Sequence, residues 1–140
     1  MQPQPILPPI TLGSRDLARL EQLLDSPALR RLPAAQSLGA ELERAKVLPA
    51  EQVPGDVVTM NASVTCVDEV SGERHHFTLV YPQDADVTTG RVSVLAPVGS
   101  ALLGLSVGQV IDWQAPGGRA LRLRVTEVAA APESASVLHR

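Results

Sequence analysis

The sequence predicts an α+β protein in which a short, coiled-coil-like helical hairpin precedes an antiparallel β-sheet with one short helix. Leucines recur at helical spacing before residue 48. After residue 56, valine and threonine alternate with other residues, and two turn signals, Ser71-Gly72 and Pro116-Gly117-Gly118, interrupt the alternation. The 140 residues suffice for one domain, or for one small domain with an appendage.

The first 13 residues are expected to form a flexible lead-in. Prolines at positions 3, 5, 8 and 9 keep this segment extended and remove backbone hydrogen-bond donors. We expect three of its apolar residues to rest on the folded body: Ile6, Leu7 and Ile10.

The first helix is predicted to begin at Ser14 and to end near Asp25. Serine is a favourable N-cap, and Asp16 lies in the first turn, where the helix dipole favours negative charge. The apolar positions recur at helical spacing, at Leu17, Leu20 and Leu24. Pro27 ends the helix, because proline disfavours helical backbone in the residue before it.

A second helix fits residues 34–47, with Pro33 near its first position. Its apolar residues fall at coiled-coil spacing: Ala35, Leu38, Leu42 and Ala45. The two helices form a hairpin over residues 14–48, followed by a linker over 49–55. The hairpin either projects from the body or packs flat on it. Its narrow stripes, rich in small residues, favour projection.

Residues 56–130 are predicted to form the sheet domain, and residues 131–140 a tail. A short helix over 100–104, with Gly104 as its C-cap, interrupts the strands. In the last strand, Leu121, Leu123 and Val125 are expected to face inward, with Arg122, Arg124 and Thr126 outward. The predicted strands are 57–70, 74–81, 92–95, 110–115 and 120–128.

Composition and charge exclude several classes of protein. A net charge of −3 disfavours binding driven by nucleic-acid phosphates, and an aromatic content of 2% disfavours base stacking. The single cysteine excludes an intrachain disulfide and a cysteine-based zinc site. The sequence contains neither a signal peptide nor an apolar run long enough to cross a membrane, so we expect a cytoplasmic protein.

No group of residues forms a recognisable catalytic, metal or cofactor site. His75 and His76 are adjacent in a predicted strand and point to opposite faces, so they cannot bind one metal together. Cys66 is interpreted as a small buried hydrophobic residue. At the hairpin tip, Asp25 and Ser26 precede Arg30-Arg31, and one carboxylate facing two guanidinium groups is a poor magnesium site.

Three stretches of the C-terminal part resemble the C-terminal domain of bacterial Gre transcript-cleavage factors, and more closely the related Rnk family, the regulators of nucleoside diphosphate kinase. The first is residues 54–61, PGDVVTMN. The second is Leu79-Val80-Tyr81-Pro82 followed by Asp84 and Asp86. The third and most specific is residues 92–109, closing with 115–118. The resemblance covers residues 54–128 in order, and covers the hairpin only in kind.

The resemblance implies an FKBP-like C-terminal domain that docks on bacterial RNA polymerase at the rim of its secondary channel. Two departures matter for docking, because the Gre pattern usually has serine before Pro97 and often arginine three residues after it. This chain has Ala96 and Ser100 there. The partner-binding residues implied by the match are Asp84, Asp86, Pro97, Val98, Gly99 and Ser100.

The hairpin departs from the Gre pattern in a way that bears on function. In Gre factors, acidic residues at the tip of a much longer hairpin help to hold a catalytic magnesium ion. Here the first helix spans only about 16 Å at 1.5 Å per residue. We therefore expect a non-enzymatic, monomeric regulator that competes with Gre factors without stimulating RNA cleavage. The alternatives are an FKBP-like peptidyl-prolyl isomerase and a regulator of another protein, such as nucleoside diphosphate kinase.

Overall fold

The computed structural model describes residues 9–114, 118 and 120–129. The fold is α+β, as predicted, and consists of three helices and two sheets within these residues. The helices are α1 (Ser14–Leu24), α2 (Pro33–Arg44) and α3 (Pro97–Leu102). The strands are β1 (Thr11–Gly13), β2 (Lys46–Leu48), β3 (Ser63–Asp68), β4 (Arg74–Val80), β5 (Arg91–Ser93), β6 (Val110–Gln114) and β7 (Ala120–Ala129). Within the described part of the chain, no helix is long and apolar enough to span a membrane.

From residue 9 onward, the start of the chain packs on the body, in contrast to the flexible lead-in predicted for the first 13 residues. Ile10 and Leu12 are 3% and 1% exposed. β1 pairs in parallel with β2, with Thr11 opposite Lys46 and Gly13 opposite Leu48. The contact predicted for Ile10 is confirmed, whereas Ile6 and Leu7 lie outside the described residues.

The two predicted helices form, with different ends. Gly13 occupies the N-cap position of α1, so Ser14 is the first helical residue rather than the cap. α2 begins at Pro33, which suits the first position because its missing N–H is not needed there. It ends at Arg44 instead of residue 47, because the backbone N–H of Lys46 donates to the carbonyl of Ile10 as β2 begins.

Five strands form one curled sheet in the order β5-β4-β3-β7-β6. All neighbouring pairs are antiparallel except β4 and β5, which confirms a mostly antiparallel sheet of about five strands. The burial of β7 alternates as predicted: Leu121, Leu123 and Val125 are buried, while Arg122, Arg124 and Thr126 are exposed. Of the predicted turn at 116–118 only Gly118 is described, and the tail at 131–140 lies outside the described residues.

Two elements of the sheet domain differ most from their predicted bounds. β3 begins at Ser63 rather than residue 57, because Val58 exchanges backbone hydrogen bonds with the 104–105 turn: its N–H donates to Leu105 and its carbonyl accepts from Gly104. α3 spans Pro97–Leu102 rather than 100–104. Gly104 lies beyond the helix at φ +82, and an added Cβ there would lie 2.7 Å from the Cβ of Ile10.

The hairpin and the sheet share one hydrophobic core. Leu20 of α1 and Leu38 of α2 are both fully buried, and they belong to the same cluster as the central sheet residue Leu123. The base of the hairpin therefore packs on the body, which corrects the prediction of a projecting hairpin. The turn between α1 and α2 is more accessible: Asp25, Arg30 and residues 31–33 are exposed.

Candidate partner-docking surface

The segment around α3 divides into accessible and buried residues. Pro97 is exposed and Ser100 is half-buried. Val98 is only 5% exposed and belongs to the core cluster, so its predicted place on the docking surface is wrong. Gly99 is buried as well, and a Cβ on it would lie 2.1 Å from the carbonyl oxygen of Ser93. Val98 and Gly99 therefore fix how α3 sits on the sheet.

The loop that carries Asp84 and Asp86 lies between β4 and β5 and includes two 3₁₀ turns, Pro82–Asp84 and Val87–Thr89. Asp84 is exposed. The Asp86 carboxylate caps the second turn, accepting from the backbone N–H of Thr88 at 3.0 Å and from its hydroxyl at 2.6 Å. These hydrogen bonds, the hydroxyl's first, lower the pKa of Asp86. Both the first turn and α3 contact β5, so Asp84 and the accessible residues of α3 belong to elements that pack against the same strand.

The hairpin tip carries one carboxylate, Asp25, and two arginines, Arg30 and Arg31, and all three residues are exposed. Asp25 caps the end of α1, and its N–H donates to the carbonyl of Glu21. The carbonyl of Ser26 accepts from the N–H groups of Leu29 and Arg30, which closes a tight turn. No cluster of three or more potential metal ligands occurs among the residues that the structure describes.

A second group of residues joins α1 to the sheet domain. The Asp16 carboxylate accepts from the backbone N–H of Met60 at 3.1 Å, and the guanidinium of Arg19 lies 4.7 Å from the centre of the Tyr81 ring. Burial raises the pKa of Asp16. Burial also raises the pKa of Tyr81, with a further contribution from the Asp16 charge. No local sequence pattern marks this joint, because its partners lie 44 or more positions apart along the chain.

The histidine and cysteine positions carry no catalytic arrangement within the described structure. His75 stacks on Phe77 at 6.2 Å and meets the edge of Trp113, whereas His76 is exposed on the opposite face. Cys66 is fully buried, and burial raises its pKa to about 11. A thiol with this pKa is protonated at neutral pH and is a poor nucleophile, which agrees with its interpretation as a core residue.

A short helical hairpin packed on a curled sheet with the short helix α3 defines a Gre-type factor. Comparison with known families agrees. Residues 53–130 match the family described as transcription elongation factor GreA/GreB, C-terminal. Residues 8–48 match the family described as Rnk N-terminus. The chain belongs to the Rnk family, in which this N-terminal region precedes a GreA/GreB-type C-terminal domain.

Individual relatives show the same combination. The chain is 45% identical over 128 residues to the regulator of nucleoside diphosphate kinase of Escherichia coli, covering 91% of this chain and 94% of the relative. It is 41% identical over 92 residues to transcription elongation factor GreA of Chelativorans sp., covering 60% of this chain and 59% of that protein. A solved structure of a GreA/GreB elongation factor from Nitrosomonas europaea superposes with a TM-score of 0.75 at 47% identity, covering 88% of this chain and 99% of that one.

Proposed function

We propose that this protein is a non-enzymatic transcription regulator that binds bacterial RNA polymerase at the rim of the secondary channel. On this proposal it competes with Gre factors there without stimulating RNA cleavage. The observation that supports the proposal best is the combination of a GreA/GreB-type domain at residues 53–130 with a first hairpin helix of only 11 residues. The proposal places the protein in the cytoplasm, as a monomer whose FKBP-like C-terminal domain is the docking platform.

Docking is assigned to the accessible residues of the two elements that contact β5. Asp84 and Pro97 are exposed and Ser100 is half-buried, so their side chains are available to a partner. Asp86 contributes by holding the intervening turn through its hydrogen bonds to Thr88. Val98 and Gly99 contribute through the position of α3, since both are buried.

The proposed lack of cleavage stimulation rests on the short reach of the hairpin and on the charges at its tip. α1 has 11 residues, or roughly 16 Å at 1.5 Å per residue. A divalent cation takes six or so oxygen ligands, and Mg²⁺ bound by protein uses one or two carboxylates together with ligands from its surroundings. The exposed tip offers Asp25, and the neighbouring Arg30 and Arg31 are also exposed and oppose the approach of a cation.

The deciding experiment measures RNA cleavage in a backtracked polymerase complex. Added alone, the protein should leave the cleavage rate unchanged. Added with a Gre factor, it should lower the stimulated rate, and a higher concentration of the Gre factor should restore it, because both proteins occupy one site. A dose-dependent increase in cleavage by this protein alone, lost in Asp25→Ala, would contradict the proposal.

A second candidate function rests on the name of the Escherichia coli relative, a regulator of nucleoside diphosphate kinase. Affinity purification of the tagged protein from a bacterial lysate, followed by mass spectrometry, separates the two candidates. Dominant recovery of polymerase subunits supports the first. Recovery of nucleoside diphosphate kinase without polymerase supports the second.

A further inference from the structure

A groove of about 640 Å³ lies between α1 and the second half of α2. The apolar part of its lining consists of three leucines that are each at least half-buried: Leu17, Leu24 and Leu42. Two small residues, Ala18 and Gly39, keep it open. Three carboxylates line it as well: Glu21, Asp25 and Glu43.

Gly39 is not required by the packing of the hairpin itself. A Cβ at this position would meet only the Cδ1 of Leu24, at 3.8 Å, which is an ordinary van der Waals contact. Glycine inside a helix nevertheless costs about 1 kcal/mol relative to alanine. The residue therefore weakens α2 without relieving any crowding within the described structure, and its effect is to leave the floor of the groove open.

The charge of the lining selects among possible occupants. Glu21, Asp25 and Glu43 are all exposed, and no arginine or lysine lines the groove with them. Two copies of this chain that paired through the same groove about a two-fold axis would place these acidic residues against each other. A second copy is therefore disfavoured, and a basic segment of another protein is favoured.

We propose that the groove receives an amphipathic helix of RNA polymerase, whose apolar stripe contacts the leucine floor and whose arginines or lysines face the three carboxylates. The groove extends from Leu17 to Asp25, about 12 Å along α1, which matches two turns of a partner helix. This contact rests on the proposed function and adds a second attachment point to the one around α3. It also gives the short hairpin a role other than delivering metal ligands.

One pair of variants tests the shape of the groove. Gly39→Leu fills the floor, whereas Ala40→Leu places the same side chain at the adjacent, exposed position of α2 that does not line the groove. We expect Gly39→Leu to weaken binding to polymerase about tenfold or more, as for loss of an interface anchor, and Ala40→Leu to bind like the unmodified protein. Thermal melts report whether each variant is folded.

A second pair tests the charge. The double variant Glu21→Lys/Glu43→Lys reverses the groove carboxylates, and Glu51→Lys/Glu127→Lys makes the same change in net charge at exposed positions away from it. Only the first double variant should lose affinity for polymerase. If Gly39→Leu and Glu21→Lys/Glu43→Lys both bind polymerase with unchanged affinity, the groove proposal is overturned, while the proposed function stands.

A peptide probe separates the groove from the proposed function. The probe is a synthetic helical peptide with a leucine stripe flanked by arginines, and its control has glutamate in place of each arginine. The arginine peptide should shift the methyl NMR signals of Leu17, Leu24 and Leu42, and the glutamate peptide should not. Failure of the protein to bind polymerase would overturn the proposed function, and absence of these methyl shifts would overturn the groove as a site for a basic helix.

Discussion

At the residue scale, adjacent side chains of α3 differ in what they can contribute to partner docking. Pro97 is exposed, whereas Val98 points into the core. A sequence resemblance marks both residues equally, because it reports which residues recur and not which way they face. Burial of Val98 could be recognised only once the packing of a six-residue helix against the sheet was known. Such a helix is too short for its inward face to stand out by periodicity.

Asp84 provides the clearest test of the proposed docking surface. Asp84→Arg should weaken polymerase binding about tenfold, because a well-placed interface side chain is often worth 1 kcal/mol or more. Its exposure means that the fold should survive. Equilibrium binding to polymerase, with Glu127→Arg as an exposed control on β7, measures the effect. Val98→Asp is a different variant: it buries a charge and should abolish folding.

At the element scale, the alternation along β7 predicts two very different substitutions. Leu123 is fully buried, so Leu123→Ala should lower the free energy of unfolding by about 2 to 5 kcal/mol. The side chain of Arg122 is 56% exposed, with its Nε 3.0 Å from Glu69, and Arg122→Ala should cost less than about 1 kcal/mol. Urea denaturation of both variants makes the comparison. The opposite ranking would show that the register of β7 is shifted by one residue.

The hydrogen bonds of the Asp68 carboxylate, at the β3–β4 turn, predict that the stability of the protein depends on pH. The Asp68 carboxylate accepts from the hydroxyl of Ser71 at 2.7 Å and from the backbone N–H groups of Val70 and Arg122. These hydrogen bonds, that of Ser71 first, lower its pKa below the ordinary value of 3.8. Their contribution to stability is therefore complete above about pH 4 and is lost as the pH falls through the lowered pKa.

Urea denaturation of the unmodified protein and of Asp68→Asn at a series of pH values tests this contribution. The variant should be less stable at neutral pH, and the difference should shrink on acidification below about pH 4. Asp16 has the opposite effect on the pH dependence of stability. Because its pKa is raised in the folded state, stability decreases as this carboxyl ionises with rising pH. A difference between the two proteins that is independent of pH would show that Asp68 does not act through its charge.

Elements marked by a local pattern could be predicted from the sequence, and those defined by pairing between distant residues could not. α1, α2 and β7 each contain enough turns or alternations for their buried faces to be recognised. β1 and β2 have three residues each and pair in parallel across more than 30 intervening positions, so no local pattern marks them. For the same reason the contact between Asp16 and Met60 could not be foreseen.

At the scale of the whole molecule, the shared core predicts that the hairpin and the sheet unfold together. Leu38 is fully buried, so Leu38→Ala should destabilise the protein by about 2 to 5 kcal/mol. Unfolding can be followed by helical circular dichroism and by the fluorescence of Trp113, the single tryptophan. The unfolding midpoints from the two signals should then shift by the same amount. Leu32→Ala, at an exposed leucine near the tip, is the matched control. Loss of helical signal before the fluorescence change would instead indicate an independent hairpin.

The first described residues also influence how the chain folds as it is made. The carbonyl of Pro9 accepts from the side chain of Gln109 at 3.1 Å, the N–H of Thr11 donates to the carbonyl of Gly104, and the carbonyl of Ile10 accepts from Lys46. Contacts between such distant positions raise the contact order, which slows folding. A nascent chain cannot complete them until residue 109 has left the ribosome. The early hairpin must therefore wait, with Leu20 and Leu38 uncovered, until most of the protein has been synthesised.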